Sequence, residues 1–186
     1  MKRIFDLFFS LFILVVLLIP ITTIFFLVKI TSKGPGIYWS TRIGKNSKEF
    51  KMPKFRTMSL QTPEIATHLL SHPEKYYTPI GRFLRSTSLD ELPQLFSIIV
   101  GDMSFVGPRP ALFNQHDLIA LREKNGVIEL IPGITGWAQI NGRDELSVEE
   151  KVKLDLYYSN NKSFFLDTKI LVLTIFNVIK RNGIAH

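Results

Sequence analysis

The sequence contains no cysteine among its 186 residues. This absence excludes disulfide bonds, thiolate catalysis and zinc sites with cysteine ligands, and it suits a reducing compartment. Long runs of like charge are also absent, although 23 Lys and Arg residues against 16 Asp and Glu residues give a formal net charge of +7. A positive excess that is spread over a folded surface favours anionic partners such as phosphates, acidic lipid headgroups or nucleic acid.

Several familiar motifs are missing as well. The chain has no P-loop, no Gly-x-Ser-x-Gly elbow, no dinucleotide-binding fingerprint and no signature of an RNA- or DNA-binding module. His68 and His72 have the i, i+4 spacing of a helical metal pair, but they lack an adjacent glutamate and Pro73 follows directly. We therefore expect neither a histidine metal site nor nucleic acid as a partner.

The longest apolar stretch, from Leu7 to Val28, carries no charged residue. At about 1.5 Å per residue, a helix of this length could cross a bilayer core of about 30 Å. Three interpretations remain: a cleaved signal peptide, a spanning helix, or a helix that enters the membrane, bends and returns to the same side. The run is longer than the apolar region of most signal peptides, and no small-x-small cleavage site follows it, which disfavours the first.

Two features favour the re-entrant helix. Pro20 lies beyond the middle of the run, where it removes a backbone hydrogen bond and bends the helix. The run is also flanked by basic residues at both ends, namely Lys2, Arg3, Lys29 and Lys33. Because positive residues stay on the cytoplasmic side, a hairpin satisfies both flanks, whereas a spanning helix satisfies only one.

The rest of the chain predicts an α+β domain with a small sheet. Short strands are expected at Ile37–Trp39 and Phe50–Met58, and Pro53 restricts the second to a sheet edge or a bend. Helices are expected at 92–100, 114–129, 146–158 and 167–181, with loops at 61–78, 101–110 and 132–143. The last helix is too short to span a bilayer, so it is a core helix or an interfacial amphipathic helix.

The most informative segment holds two adjacent carboxylates, Asp90 and Glu91, in front of an apolar helix. Ser88 and Glu91 match a capping box that would start the helix at Ser88. A start at Asp90 or just before it is preferred, because Pro93 then lies in the first turn, where its missing N–H matters little. Either start places the pair where a helix favours anions. A bare Asp-Glu pair, however, is usually an ordinary acidic cap.

The surrounding basic residues point to phosphoryl chemistry. They stand in or near segments rich in Gly and Pro, and they are Lys54, Arg56, Arg82, Arg85, Arg109 and Arg143. Phosphoryl transfer needs cations to neutralise phosphate oxygens, a bridging metal ion and an aligned nucleophile. Aspartate is a known nucleophile toward phosphorus, and a neighbouring glutamate could hold Mg²⁺. The sequence is compatible with this division between Asp90 and Glu91.

Five segments together resemble the bacterial sugar transferases, and specifically the small monotopic phosphoglycosyl transferases. They occur in the family's order and extend over most of the chain: Lys54–Met58, Arg85–Phe96, Gly101–Pro110, Pro132–Arg143 and Leu154–Tyr158. The resemblance implies transfer of a sugar-1-phosphate from a UDP-sugar to undecaprenyl phosphate. Asp90 would attack the sugar-bearing phosphate, release UMP and carry the phosphosugar until the lipid phosphate takes it.

The resemblance also implies roles for individual residues. Glu91 would be a Mg²⁺ ligand, and Lys54, Arg85, Arg109 and Arg143 would hold phosphate groups. Gln139 and Asp155 are candidate substrate-binding residues. The 59–80 loop contains no family motif and could bear on the choice of sugar.

The resemblance places the protein at the cytoplasmic face of the bacterial inner membrane. Residues 1–31 would form a re-entrant helix that contacts membrane lipids, and residues 32–186 would form the catalytic domain. The family breaks this helix with a Ser-Pro pair, whereas this chain has Ile19 before Pro20. The alternative function is a non-enzymatic membrane adaptor that binds anionic lipids through its basic face.

Overall fold

The computed structural model describes residues 2–63, 65, 70–142 and 145–180, which form an α+β structure. Its helices are α1 Lys2–Val16, α2 Leu18–Thr31, α3 Gly81–Ser86, α4 Leu95–Val100, α5 His116–Lys124, α6 Trp137–Ile140, α7 Val148–Asn161 and α8 Phe164–Lys180. Its strands are β1 Ile37–Ile43, β2 Glu49–Phe55, β3 Ser104–Val106, β4 Ala111–Leu112 and β5 Gly133–Thr135. Short 3-10 helices lie at Lys45–Ser47, Pro73–Tyr76, Leu89–Gln94 and Val127–Glu129.

The N-terminal apolar run is bent. Helices α1 and α2 meet at an angle of 65°. Because Pro20 has no N–H, it cannot bond to the carbonyl of Val16, and its ring crowds that carbonyl, so α1 ends there. Among the described helices, none alone is long and apolar enough to cross a membrane, whereas the bent pair taken together meets the criterion of length and composition only.

Polar side chains bind the start of α1 to the rest of the protein. Arg3 donates hydrogen bonds to the carbonyls of Ile98 and Ile99 at the end of α4. The buried carboxylate of Asp6 accepts a hydrogen bond of 2.8 Å from Ser104 Oγ in β3. The opposite side of α1 stays apolar and exposed, for example at Phe8 and Phe12. The first turns of α1 therefore contact α4 and β3.

The hairpin of β1 and β2 confirms the predicted strands in place, although β1 continues to Ile43 and β2 ends at Phe55 instead of Met58. The sheet order is β2-β1-β4, so β2 is an edge strand, and Pro53 lies opposite Trp39. Proline is tolerated there because an edge strand leaves every second N–H without a ladder partner.

The predicted loops at 101–110 and 132–143 are wrong in part. Each contains a three-residue strand, and β3 and β5 pair in parallel, Ser104 with Gly133 and Val106 with Thr135. A Cβ atom at Gly133 would lie 2.1 Å from the amide nitrogen of Gly107, so this close approach requires glycine. The loop at 132–143 also contains α6.

The helix predictions are correct in place and shifted in their ends. The preferred start of an α-helix near Asp90 is wrong, because a 3-10 helix covers Leu89–Gln94 and precedes α4. Ser88 has φ of 56° and makes no capping hydrogen bond. Gly126, with φ of 70°, ends the helix predicted over 114–129. Helix α7 begins with a capping box between Ser147 and Glu150.

The main hydrophobic core lies between β2, α4, β3, α7 and α8. It consists of Met52, Leu95, Ile98, Met103, Phe105, Val106, Tyr158, Leu166 and Ile170. Helix α8 buries one side in this core, while Phe164, Phe165 and Phe176 are exposed. It thus has both a core face and an exposed apolar face. The core fixes α4, and with it the 3-10 helix that carries the two carboxylates.

Candidate active site

A cavity of about 310 Å³ opens beside the 3-10 helix. Its walls come from β1, β2, the segment after β2, α3, the Pro108–Pro110 segment, α5 and α6. The predicted site residues in its lining are Lys54, Arg85, Asp90, Glu91, Arg109 and Gln139. Side chains from segments far apart in the sequence therefore meet in one cavity.

Glu91 is the centre of an ion-pair cluster. Its Oε1 accepts hydrogen bonds from Lys54 Nζ at 2.7 Å and from Arg109 Nη2 at 3.1 Å. Lys54 projects from the edge strand β2, and Arg109 lies between two prolines. The Lys54 and Glu91 side chains are only 14% and 12% exposed, so water screens the pair weakly.

Asp90 is more deeply buried, at 5% exposure. Within the part of the chain that the structure describes, its carboxylate accepts no hydrogen bond. Burial raises the pKa of Asp90 above its usual value, and the charge of Glu91 adds to that rise. Lys54, Arg85 and Arg109 lower the pKa of Asp90 again. The ionised state of Asp90 therefore depends on these three cations.

Burial also lowers the pKa of Lys54, while Glu91 and Asp90 raise it. Lys54 and the carboxylate pair thus stabilise one another's charged forms in a site that disfavours each charge alone. The three cations Lys54, Arg85 and Arg109 outnumber the two carboxylates. The cavity is therefore suited to bind an anion beside Asp90 and Glu91.

Arg42 is a cavity residue that the sequence reasoning missed. Its Nε donates to Ser40 Oγ at 3.0 Å, and its Nη1 donates to the carbonyl of Pro110 at 3.1 Å. Burial lowers the pKa of Arg42 to about 10, and the neighbouring Arg109 adds to that effect. Tyr38, Ser40 and Arg42 all line the cavity. The period of two along β1 would have identified this inward face.

The other predicted site residues lie in different surroundings. Arg85, in the last turn of α3, donates to Met58 Sδ at 3.4 Å and lines the cavity. Both polar side-chain atoms of Gln139 are buried, and neither has a hydrogen-bond partner in the described structure. Buried polar atoms are usually hydrogen-bonded, so this amide has capacity left to bind a water molecule or a polar group of a ligand. Arg143 lies outside the described residues.

Asp155 is placed behind the cavity rather than in its wall. Its carboxylate, at 1% exposure, binds Arg122 Nη2 at 2.7 Å. Burial raises the pKa of Asp155, and Arg122 opposes that rise. The described lining of the cavity includes Arg122 but not Asp155. Asp155 thus contacts a residue of the cavity lining, Arg122.

The two adjacent carboxylates are chemically suited to a magnesium ion. No three His, Cys, Asp or Glu side chains converge within the described residues. Mg²⁺ commonly takes one or two carboxylates and completes its shell with water and substrate phosphates. Asp90 and Glu91 supply such oxygen donors. Of the histidine pair, His68 lies outside the described residues, and His72 is exposed and bonds to Glu74.

The segment after β2 also contributes to the cavity. Met58, Ser59, Leu60, Thr62, Pro63 and Ile65 lie in its wall. This part of the 59–80 loop therefore borders the space in which a substrate would bind.

Comparison with known proteins gives consistent matches. The chain matches the model of the family described as bacterial sugar transferase over residues 1–181. It is 41% identical to the uncharacterized sugar transferase EpsL of Bacillus subtilis (strain 168), over 100% of this chain and 91% of that protein.

Two longer relatives carry named activities. The UDP-glucose:undecaprenyl-phosphate glucose-1-phosphate transferase of Escherichia coli (strain K12) is 41% identical over 80% of this chain and 34% of its own length. The undecaprenyl-phosphate galactose phosphotransferase of Salmonella typhimurium is 35% identical over 98% of this chain and 41% of its own length. The chain thus spans most of the first relative and well under half of these two.

Proposed function

Since this chain belongs to the bacterial sugar transferase family, we propose that it moves a sugar-1-phosphate from a UDP-sugar to undecaprenyl phosphate. The observation that carries the proposal is the contrast between the two carboxylates in the cavity. Glu91 is tied to Lys54 and Arg109, whereas Asp90 has cations around it but accepts no hydrogen bond from the described residues. Asp90 is therefore available to a substrate.

The reaction proceeds in two displacements at one phosphorus atom. An oxygen of Asp90 attacks the phosphorus that bears the sugar, and a new O–P bond forms. The bond from that phosphorus to the bridging oxygen breaks, and UMP leaves with the electron pair. An oxygen of undecaprenyl phosphate then attacks the same phosphorus, which frees the Asp90 carboxylate and yields an undecaprenyl diphosphosugar.

The basic residues of the cavity bind the diphosphate and offset its charge. Lys54 and Arg109 approach from β2 and from the Pro108–Pro110 segment, and Arg85 approaches from α3. Glu91, with Asp90, would hold Mg²⁺, which supplies further neutralisation of phosphate oxygens when it is bound. Holding the reactants in place in such a cavity contributes roughly 7–11 kcal/mol toward lowering the barrier.

We also propose that α1 and α2 form the re-entrant anchor of residues 1–31, and that residues 32–186 work at the cytoplasmic face of the inner membrane. The exposed side of the bent pair is apolar, and basic residues flank it. The lipid phosphate lies at the membrane surface, so a shallow anchor brings the carboxylates close to it.

The first prediction tests the reaction itself. The protein in detergent or nanodiscs, given UDP-glucose or UDP-galactose with Mg²⁺ and undecaprenyl phosphate, should release UMP in proportion to the lipid-linked product. Nucleotide products would be separated by chromatography, and reactions without lipid or with EDTA serve as controls. Release of UDP would indicate an ordinary glycosyl transferase and contradict the proposal. Absence of any turnover with a broad panel of UDP-sugars would favour the lipid-binding adaptor.

A second prediction concerns pH. Only the ionised form of Asp90 can attack, and Lys54 lowers the pKa of Asp90. Lys54→Met should therefore raise the pKa of Asp90 further, and activity should be lost at a higher pH as the solution is acidified. The rate at the optimum should also fall by about 10²-fold, the usual effect of losing one hydrogen-bond donor that stabilises charge in the transition state. The measurement is kcat/KM for UMP release against pH.

Lys51→Met is the matched control for this experiment. Lys51 lies on the same strand, is exposed and bonds to Thr41. Its pH profile should coincide with that of the wild type. If the acid limb of Lys54→Met moves to lower pH or stays in place, Lys54 does not support the charge of Asp90.

A further inference from the structure

A buried ion pair between Arg122 and Asp155 lies behind the segment that presents Arg109 to the cavity. We infer that Arg122, held by Asp155, is a positioning residue that fixes the backbone of Arg109 and thereby sets where its guanidinium meets the substrate phosphates. The inference rests on the proposed function for its substrate and adds a role that Arg122, itself part of the cavity lining, performs through the backbone of Arg109.

The geometry of the pair is specific. Arg122 lies on α5 and Asp155 on α7. Arg122 Nε and Nη2 both donate to Asp155 Oδ2, at 3.1 and 2.7 Å. Arg122 Nη1 donates to the carbonyl oxygen of Arg109 at 2.8 Å. The planar guanidinium thus holds a carboxylate on one edge and a backbone carbonyl on another, which a lysine ammonium does not reproduce.

The segment that it holds is bound through its backbone carbonyls. Pro108 and Pro110 have no N–H groups, so at these two positions the backbone can form hydrogen bonds only through its carbonyls. Pro108 accepts from the Gly133 amide at 2.9 Å, Arg109 accepts from Arg122, and Pro110 accepts from Arg42 at 3.1 Å. Three successive carbonyls are therefore bound by three different elements.

This fixed backbone leads directly to the carboxylates. The Arg109 side chain extends from it to Glu91 Oε1 at 3.1 Å. A displacement of about 1 Å in a substrate-positioning group can reduce a rate by 10²-fold. The pair thus connects α5 and α7 to the catalytic centre through one backbone carbonyl.

Stability alone is a weak reason for such a pair. Two buried charges lose their hydration, and apolar residues of similar volume often replace a buried pair at no loss of stability. The hydrogen bond to Arg109 is the feature that an apolar pair would lack. It therefore distinguishes a positioning role from a merely structural one.

A double-mutant cycle tests the inference. Arg122→Lys keeps the charge but cannot hold Asp155 and the Arg109 carbonyl at once, and it should lower kcat for UMP release about tenfold. In the Arg109→Ala background the same change should lower kcat less than about twofold, because the group that Arg122 positions is gone. If Arg122→Lys lowers kcat by the same factor in the wild-type and Arg109→Ala backgrounds, Arg122 acts independently of Arg109, and the inference is overturned.

The affinity of the same four proteins for UDP is also measured by calorimetry, which does not depend on turnover. Arg122→Lys should weaken UDP binding in the wild-type background and leave it unchanged in Arg109→Ala. Failure of UMP release by the wild type would contradict the proposed function, while the additivity of the UDP affinities would still decide the positioning role. Lys124→Ala, an exposed residue on the same helix, is the control and should match the wild type.

A second variant separates loss of the Arg122 hydrogen bond from loss of the fold. Arg122→Met combined with Asp155→Leu removes both charges at similar volume and should retain the thermal midpoint of the wild type within a few degrees. Its kcat should nevertheless fall at least as far as that of Arg122→Lys. If this variant folds and releases UMP at the wild-type rate, the hydrogen bond to Arg109 has no positioning role.

Discussion

Asp90→Asn should release UMP at about one thousandth of the wild-type rate or less. The amide occupies the same volume as the carboxylate in a site that is 5% exposed, so the fold should be retained. An amide is a very poor nucleophile, and loss of an enzymatic nucleophile commonly lowers kcat by 10³-fold or more. The measurement is UMP release with a saturating UDP-sugar, with the thermal midpoint recorded beside it.

The covalent step gives a second measurement of the same prediction. Wild-type protein that is mixed with the UDP-sugar alone should release about one UMP per active site and gain the mass of the sugar phosphate on the peptide that contains Asp90. Asp90→Asn should show neither the burst nor the adduct. The quench must be acidic and brief, because acyl phosphates hydrolyse in base.

Glu91→Gln is the matched neighbour for this test. It removes the negative charge that pairs with Lys54 and Arg109 but leaves the Asp90 carboxylate, so it should slow turnover and still form the adduct at Asp90. An adduct on Glu91 instead of Asp90 would exchange the proposed roles. Near wild-type activity in Asp90→Asn, with the amide verified by peptide mass, would eliminate Asp90 as the nucleophile.

The sequence predicted which charged side chains would gather in one place better than it predicted the scaffold. Asp90 and Glu91 are adjacent, and Lys54, Arg85 and Arg109 stand in short blocks with a recognisable residue order. Such local patterns are visible in one dimension. The structure places these five side chains around one cavity, as the chemistry of a phosphate site requires.

The parts that escaped prediction depend on distant pairing. Strands β3 and β5 are three residues long, which is too short for an alternating pattern, and each becomes a strand only by pairing with the other. The residues of Leu89–Gln94 do not indicate by their composition whether they form an α-helix or a 3-10 helix. Tertiary packing against β2 decides between the two conformations.

The positioning role inferred for Arg122 could not be predicted for a related reason. Arg122 lies in a helix whose sequence reads as a charged surface helix, and its partner Asp155 lies on another helix. Asp155 was expected to contact substrate, but its carboxylate is occupied by Arg122. Which charges are buried as a pair depends on helix packing, and no local sequence pattern records it.

Pro20→Leu should move the N-terminus of the protein to the opposite side of the membrane in a large share of molecules. The change gives residue 20 an N–H that can donate a hydrogen bond to the carbonyl of Val16. It also removes a proline ring that costs about 3 kcal/mol inside a helix. Residues 2–31 would then form one straight helix of roughly 45 Å at 1.5 Å per residue, which exceeds a bilayer core of about 30 Å. A spanning helix then competes with the hairpin.

The absence of native cysteines makes this change measurable. A single cysteine inserted before Lys2, or placed at the exposed Lys33, would be labelled with an impermeant maleimide in intact spheroplasts and again after permeabilisation. In the wild type, both positions should react only after permeabilisation. In Pro20→Leu, the cysteine before Lys2 should react in intact spheroplasts, while that at Lys33 should not. Ile19→Leu, a change at the neighbouring exposed position, should behave as the wild type does.

The contacts of α1 connect this topology to activity. In the hairpin, Arg3 binds the carbonyls at the end of α4, and Asp6 binds Ser104. A molecule with its N-terminus on the far side loses these bonds and leaves a buried hydroxyl and two helix-end carbonyls without their partners. Activity in Pro20→Leu should therefore fall in proportion to the fraction of molecules whose cysteine before Lys2 is labelled in intact spheroplasts.

If Pro20→Leu keeps both cysteines protected, the contacts of Arg3 and Asp6, rather than the proline, maintain the bend. If the wild-type N-terminal cysteine reacts in intact spheroplasts, the anchor spans the membrane.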